Sequence, residues 1–196
     1  MIILGISTSA KHPSAALSRD GEIAAFIVDE SGKSHSATLM GLIEKVLSDS
    51  GASPSDIDAI AVDIGPGSFT GVRIGVSCAN AMAMALSVPV LPVCSLDALR
   101  NIVPKEGTVC SMIDCRNGNC YAACYENGVT KTPPCAAVVS NVLKSLLKDA
   151  SVVGDCFDNK SFPDARLVLI EALDSKPVSE AVPMYLRPSQ AERMKK

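Results

Sequence analysis

Short apolar runs and longer stretches with helical periodicity alternate along the first hundred residues. Ile2 to Ile6 is a continuous apolar run typical of a buried strand, and Asp20-Gly21 between two apolar runs predicts a hairpin. Gly51 follows a helical stretch at the position of a C-terminal cap. The elements predicted for this part are strands at 2–6, 14–17, 22–28, 59–64 and 90–93, and helices at 36–50, at 70–86 and from Ser95, the expected cap of the third helix, onward.

The same order of elements begins again after Pro104. Asn117-Gly118 and Asn127-Gly128 are turn signals between apolar runs. The predicted elements are strands at 109–113 and 121–125, a short third strand, a helix at 136–148, a strand at 152–153 and, within 155–182, one further strand at 166–170. Both parts read strand, strand, strand, helix, strand. We therefore predict two similar α/β lobes, 1–103 and 104–196, with the second lobe shortened.

Both long helices of the first lobe are apolar or small over more of their surface than one sheet-facing stripe requires. Small residues allow another helix to approach closely, and wide apolar surfaces mark association sites. We expect these helices to dock a partner or a second copy of the chain. The residues predicted to form the interface are Leu39, Met40, Ile43, Leu47, Gly71, Gly75, Ala79 and Met82.

Composition narrows the classes of function. The chain has 196 residues, 47% of them apolar, and a net charge of −3. Its candidate basic cluster is the tail, with Arg187, Arg193, Lys195 and Lys196, whereas a protein that holds nucleic acid by itself needs a basic surface. No apolar run is expected to reach the roughly 18 residues that span a bilayer, so no membrane is expected. Met1 to Ser7 lacks the basic region of a signal peptide and predicts a strand.

Eight cysteines are expected as free thiols in a reducing cytosol. Cys110, Cys115, Cys120 and Cys124 form a sequence cluster without any Cys-x-x-Cys pair. We expect them to spread over two strands and both faces of a hairpin, so no metal site is predicted.

The loop from Gly65 to Gly71 joins a strand to a helix N-terminus. Its glycines and free backbone N–H groups could hold a phosphate, but it lacks the lysine of a Walker A loop. The alternative is a tight turn that starts a close-packed helix, and the composition favours this alternative. The residues that would contact a phosphate or nucleotide are Ser7, Thr8, Gly65, Gly67, Ser68 and Asp114.

Four segments in order resemble one family. GPGSFTGVRIG (65–75) is similar to the signature of the TsaB (YeaZ) family of threonylcarbamoyladenosine biosynthesis proteins. SHSATLMGLIEKVL (34–47), IDCRNGNCYAACY (113–125) and MYLRPSQAER (184–193) resemble that family's first helix, second-lobe hairpin and C-terminal segment. The resemblance covers most of 1–130 and the tail, whereas 135–182 matches poorly.

This resemblance implies a two-lobed actin-like, Hsp70-like (ribonuclease H-like) fold. It also implies a cytoplasmic subunit that pairs with a catalytic TsaD-like protein and works with a TsaE-like P-loop ATPase. Together such subunits place threonylcarbamoyl on N6 of adenosine 37 in tRNAs that read codons beginning with A. The resemblance implies that ATP and metal belong to the partner subunits, that tRNA binds mainly through them, and that this chain can form a homodimer when its partner is absent.

The residues also indicate a non-catalytic role. In related proteins that bind nucleotide, the first strand usually ends in an aspartate that organises magnesium, whereas this chain has Ser7 at that position. His12 and His35 lack the spacing of a metal pair, and Arg73 and Asp63 are expected to form a structural ion pair. The alternative function is an actin-like-fold small-molecule kinase or phosphotransferase, in which Asp114 would serve the phosphate loop.

Overall fold

Ile2–Ser7 (β1) is the central strand of a five-stranded sheet. The computed structural model of the protein describes residues 1–146, 150–157 and 160–187. The other elements of the first lobe are β2 (Ser14–Arg19), β3 (Glu22–Val28), α1 (His35–Ser50), β4 (Ala59–Asp63), α2 (Phe69–Leu86), β5 (Val90–Val93) and α3 (Ser95–Arg100). Those that follow are β6 (Thr108–Asp114), β7 (Asn119–Glu126), β8 (Val129–Val138), α4 (Val139–Ser145), β9 (Ser151–Gly154) and α5 (Ala165–Ala172).

The first sheet has the strand order β3-β2-β1-β4-β5. β1 pairs antiparallel with β2 and parallel with β4, and Leu4 lies opposite Leu17 and Ile60 in the two ladders. All three side chains are buried. The apolar faces of α1 and α2 cover one side of this sheet and form the larger core with it.

The second sheet has the order β8-β7-β6-β9 and repeats the arrangement of β3-β2-β1-β4. β6 is antiparallel to β7 and parallel to β9, as β1 is to β2 and β4. The order of elements predicted for the two lobes is therefore confirmed. β8 is longer than predicted and runs to Val138, so α4 begins three residues later than expected; residues 147 and 148 of the predicted helix lie outside the described ranges.

The strand predicted at 166–170 is wrong, because this segment is the helix α5. Its buried residues have helical spacing, and the Asp164 side chain caps it by accepting hydrogen bonds from the backbone N–H groups of Arg166 and Leu167. α5 packs on the face of the first sheet opposite α1 and α2. It approaches closely at Gly5, where a Cβ atom would lie 2.7 Å from Cγ of Leu169. The chain thus returns to the first sheet after completing the second. The predicted division at residue 103 had placed this segment in the second lobe.

After α5 the chain runs along the first lobe towards the gap between the sheets. Val178 pairs with Val90 at the edge of β5, and the Asn80 side chain exchanges two hydrogen bonds with the backbone of Ala181. Met184 then donates its backbone N–H to the carbonyl of Ile64. The basic residues predicted at 193, 195 and 196 lie outside the described ranges.

α2 corrects the expectation that no apolar stretch could span a bilayer. It has 18 residues and, by length and composition alone, it is long and apolar enough. Core helices of soluble proteins meet the same criterion, and α2 packs against α1, β1, β4 and β5. Its composition is therefore weak support for a membrane span.

Candidate functional site

An uncharged surface lies where α1 and α2 run side by side. Ser77, Ala81 and Met84 are exposed at helical spacing on α2, with Met84 81% exposed, and Cys78 and Met82 flank them. Met40 of α1 is 50% exposed and its sulfur lies 3.7 Å from that of Cys78. Together, Met40, Ser77, Cys78, Ala81, Met82 and Met84 are called the helix surface below.

Only two of the eight predicted interface residues belong to the helix surface, Met40 and Met82. The others are buried in the chain's own core: Leu39, Ile43, Leu47, Gly71, Gly75 and Ala79. The small residues of α2 serve an internal contact, because a Cβ at Gly71 would overlap the carbonyl oxygen of Thr8, and one at Gly75 would overlap its hydroxyl. Docking through these helices stays a prediction, and it now rests on the exposed residues.

A cleft of about 610 Å³ separates the two sheets. The first lobe contributes Lys11, His35 and the N-terminal residues of α2, and the second contributes Asp114, Arg116, Tyr121 and Asp155. Tyr185 and Arg187 lie along it as the chain leaves the first lobe, and Arg187 donates a 2.9 Å hydrogen bond to Oδ1 of Asn119. The cleft therefore has basic side chains on both sides, whereas its two carboxylates, Asp114 and Asp155, both belong to the second lobe.

The glycine loop beside this cleft is a tight turn in which the N–H groups of Gly65, Ser68 and Gly71 donate within the fold. The backbone N–H of Gly65 donates to Asp63 and that of Ser68 to the carbonyl of Ser9, at 2.9 and 2.7 Å. Ser68 caps α2 by accepting from the N–H of Gly71. Of the predicted phosphate contacts, Gly67, Ser68 and Asp114 line the cleft.

The other three predicted phosphate contacts do not reach the cleft. Gly65 is buried, and the hydroxyls of Ser7 and Thr8 point into the fold. Ser7 donates to Asp63 at 2.9 Å and Thr8 donates to the carbonyl of Gly71 at 2.7 Å. These two hydrogen bonds connect the end of β1 to β4 and to α2.

Asp63 is the fully buried centre of this junction. Ser7, Ser9 and Ser95 donate their hydroxyls to its two carboxylate oxygens, and Gly65 donates its N–H. Burial raises the pKa of the Asp63 carboxyl, and the four hydrogen bonds oppose that rise. The sequence missed Ser9, and it assigned Ser95 to a helix cap, although the residue before α3 is Cys94.

We expect a pH-dependent difference between the wild-type chain and Asp63→Asn. Because the folded pKa is raised above 3.8, the stabilisation linked to protonated Asp63 is complete below that pH and is lost as pH rises through the folded value. The wild type should therefore lose stability relative to Asp63→Asn as pH increases above about 4.

Urea unfolding of both proteins across a range of pH would measure the difference in unfolding free energy. The contributions of the other carboxylates cancel in this difference, because both proteins contain them. A constant difference, or one that grows in favour of the wild type as pH rises, would contradict the raised pKa.

Arg73 does not pair with Asp63, which corrects the predicted ion pair. Arg73 donates from Nε to the hydroxyl of Tyr185 at 2.8 Å, and its guanidinium lies 4.1 Å from the ring centre of Phe69. Phe69 and Tyr185 stack with centres 4.5 Å apart. Asp63 is enclosed behind the loop, so a side chain on the exposed face of α2 does not reach it.

Asp114 and Asp155, the two acidic residues that line the cleft, each accept a hydrogen bond from a backbone N–H group. Asp155 accepts a 2.6 Å hydrogen bond from the N–H of Asp114, and burial raises the pKa of Asp155. Asp114 itself accepts from the N–H of Arg116. His35 and His12 each contact a backbone carbonyl at 3.2 Å. Within the described ranges, no group of three or more His, Cys, Asp or Glu side chains is arranged to hold a metal ion.

The cysteine cluster differs from its prediction. Cys110 lies opposite Cys124, and Cys120 opposite Asp114, so all three project from one face of the hairpin. The expected spread over both faces is therefore wrong for Cys110, Cys120 and Cys124, which fall on matching positions of the two strands. Cys115 follows the end of β6 and lines the cleft instead. They pack with Met112 and Ala122 in a small core.

Residues 27–159 match the protein family described as TsaD, tRNA N6-adenosine threonylcarbamoyltransferase. The tRNA threonylcarbamoyladenosine biosynthesis protein TsaB of Bacillus subtilis is 36% identical over 127 residues, or 64% of this chain and 56% of that protein. TsaB of Escherichia coli is 36% identical over 135 residues, or 66% and 58%. A Pseudomonas aeruginosa crystal structure described as similar to peptidase YEAZ has a TM-score of 0.85 and 26% identity, covering 95% of this chain and 99% of that one.

The Pseudomonas aeruginosa structure shares the fold of this chain, and the predicted two-lobed α/β fold of the actin-like class is confirmed. The chain belongs to the TsaB (YeaZ) family within the threonylcarbamoyltransferase-related proteins. It spans little more than half the length of the two TsaB proteins, at 56% and 58%.

Proposed function

We propose that this chain is a non-catalytic subunit of the cytosolic machinery that installs N6-threonylcarbamoyl on adenosine 37 of tRNA. Its task is to dock a TsaD-like catalytic subunit through the helix surface. The observation that carries the proposal is the set of uncharged, solvent-accessible residues that forms the helix surface, in a chain whose relatives are named threonylcarbamoyladenosine biosynthesis proteins.

The form of the helix surface supports docking. From Ile74 to Leu86, α2 carries no charged side chain, and Met84 of α2 and Met40 of α1 are both exposed. Methionine side chains adapt their shape to a facing surface, and small neighbours such as Ala81 let a second helix come close. Covering them would remove exposed apolar area from water, which favours association.

The cleft supports the absence of catalysis by this subunit. Ser7 stands where a magnesium-binding aspartate would stand, and its hydroxyl is used by Asp63. The loop N–H groups of Gly65 and Ser68 are also used within the fold. On this proposal ATP and metal act on the TsaD-like and TsaE-like partners, and tRNA is held mainly by them. The kinase alternative is not favoured, because Ser7 replaces the magnesium-binding aspartate and the N–H groups of Gly65 and Ser68 are bonded within the fold.

Met84→Asp and Met40→Asp should each weaken binding to a TsaD-like subunit by about 2 kcal/mol or more, roughly 30-fold, because an unpaired charge becomes buried. Both side chains are exposed in the free chain, so its melting temperature should change little. Titration calorimetry with the purified partner and sedimentation of the isolated chain would measure pairing and homodimerisation.

Val129→Asp is the matched control, since Val129 is 64% exposed on β8 of the second lobe. It should leave binding and tRNA modification in the reconstituted reaction unchanged. If both methionine variants bind the partner as tightly as the wild type, docking occurs elsewhere. ATP turnover by the isolated chain that is lost in Asp114→Ala would instead favour the phosphotransferase alternative.

A further inference from the structure

Five cysteines gather on one side of the second sheet. Cys110 and Cys120 are fully buried there, and Cys124 is half-buried beside them. Cys135 lies opposite Ala122, which puts it on the same face, and Cys156 packs against the same small core. The proposed docking function uses none of these thiols.

Only one pair among these five is directly opposed across neighbouring strands. Cys110 of β6 and Cys124 of β7 are register partners, and their sulfur atoms are in contact at 2.6 Å. Cys120 instead faces Asp114 on one side and Ala137 on the other. Directly opposed residues of an antiparallel pair have Cα separations of about 4.5–5.5 Å, within the range that a disulfide bridges.

The two thiols of the pair differ in solvent exposure and in how readily they ionise. Cys124 is half-buried, whereas Cys110 is closed off from solvent. The hydrogen bond between the two sulfur atoms lowers the pKa of the Cys124 thiol. The more accessible sulfur is therefore also the one that more readily becomes the nucleophilic thiolate.

We propose that Cys110 and Cys124 are an oxidation site that closes to a reversible cross-strand disulfide when the chain meets a hydroperoxide. With hydrogen peroxide, the Cys124 thiolate attacks one peroxide oxygen, the O–O bond breaks, and the departing hydroxide takes up a proton to become water. The sulfur of Cys110 then attacks the resulting sulfenic acid. The S–O bond breaks, and hydroxide leaves with the Cys110 proton as a second water.

Closure needs no rearrangement of the sheet, because the existing register already opposes the two residues. The disulfide would tie β6 to β7, whose connecting hairpin carries Arg116 at the cleft. A small thiol reductant would reopen it by thiol–disulfide exchange. The hydroperoxide is oxidant and the two thiols are reductant, so no further reactant is required.

The full chain is first reduced, freed of reductant, treated with hydrogen peroxide and then blocked with N-ethylmaleimide. We expect two fewer thiols per chain to react with N-ethylmaleimide than in the untreated protein, and a peptide map in which Cys110 is joined to Cys124. Treatment with dithiothreitol should restore the original number of reactive thiols. Cys110→Ala and Cys124→Ser should each abolish the bridge. Cys120→Ser should retain it, since Cys120 is as buried as Cys110 on the same face but is not opposed to another thiol.

The peptide map of the wild-type chain tests the proposal even if a variant folds poorly. A disulfide between other residues, bridging only between two chains, or over-oxidation of Cys124 without any bridge would overturn it. Loss of the bridge in a folded Cys120→Ser chain would also overturn it.

Discussion

Gly71→Ala is expected to destabilise the folded chain by about 3 kcal/mol, because the added methyl group has no room. A Cβ at this position would overlap the carbonyl oxygen of Thr8 and lie 3.1 Å from Nδ1 of His35. The first obstacle is backbone, so relief requires the loop after β1 to move. That movement would also stretch the hydrogen bond from Thr8 to the carbonyl of Gly71. Urea unfolding of the full chain would measure the loss.

Gly41→Ala is the matched control for this change. Gly41 is an exposed helical glycine of α1, and a Cβ there would meet nothing within 4 Å. Alanine should therefore stabilise the chain by about 0.5–1 kcal/mol through its higher helix propensity. The same substitution thus has opposite signs at the two sites. Equal effects at both would show that the approach of Thr8 to α2 does not limit the size of residue 71.

Gly71 illustrates why the sequence predicts docking through α1 and α2 but does not predict which faces of these helices are exposed. A helix with apolar or small residues nearly all round has weak amphipathic contrast, so its pattern does not say which side meets the sheet. The sequence pattern is therefore equally consistent with Gly75 and Ala79 contacting a partner helix or contacting β1. The structure assigns Gly75 to the contact with Thr8, leaving Ser77, Ala81 and Met84 outside.

Other elements differ in how local their signals are. β1, α1 and the turn at Asn117-Gly118 could be predicted because their periodicity or turn residues lie within the segment itself. Leu167 to Ile170 is a continuous apolar run too short to separate strand from helix, and its assignment as α5 depends on packing against the first sheet. Asp63 binds serines 56, 54 and 32 residues away, a convergence that no local spacing reveals.

The junction between the lobes is held by a nearly buried ion pair. Arg100 at the end of α3 donates to Glu171 of α5 at 2.8 Å, and the two side chains are 12% and 13% exposed. Arg100 also donates to the carbonyl of Gly128, and its guanidinium lies 4.9 Å from the ring centre of Tyr125. Asn101 donates to the second oxygen of Glu171. Elements of both sheets therefore meet at this pair.

Glu171→Ala should cost about 3–5 kcal/mol of unfolding free energy, because it leaves the Arg100 charge in place without its partner. Glu126→Ala is the matched control: Glu126 pairs with Lys131 at the same 2.8 Å, but the two side chains are 47% and 58% exposed. Water already solvates that pair, so its loss should cost less than about 1 kcal/mol.

Urea unfolding followed separately by peptide circular dichroism and by tyrosine fluorescence would also report on cooperativity. Tyr125 lies in the second sheet beside Arg100, so its signal should change at lower urea than the circular dichroism if the lobes separate first. A Glu171→Ala chain as stable as Glu126→Ala would mean that water solvates the Arg100 charge once Glu171 is gone. The lobes would then be held together by the apolar packing of α3 against the second sheet.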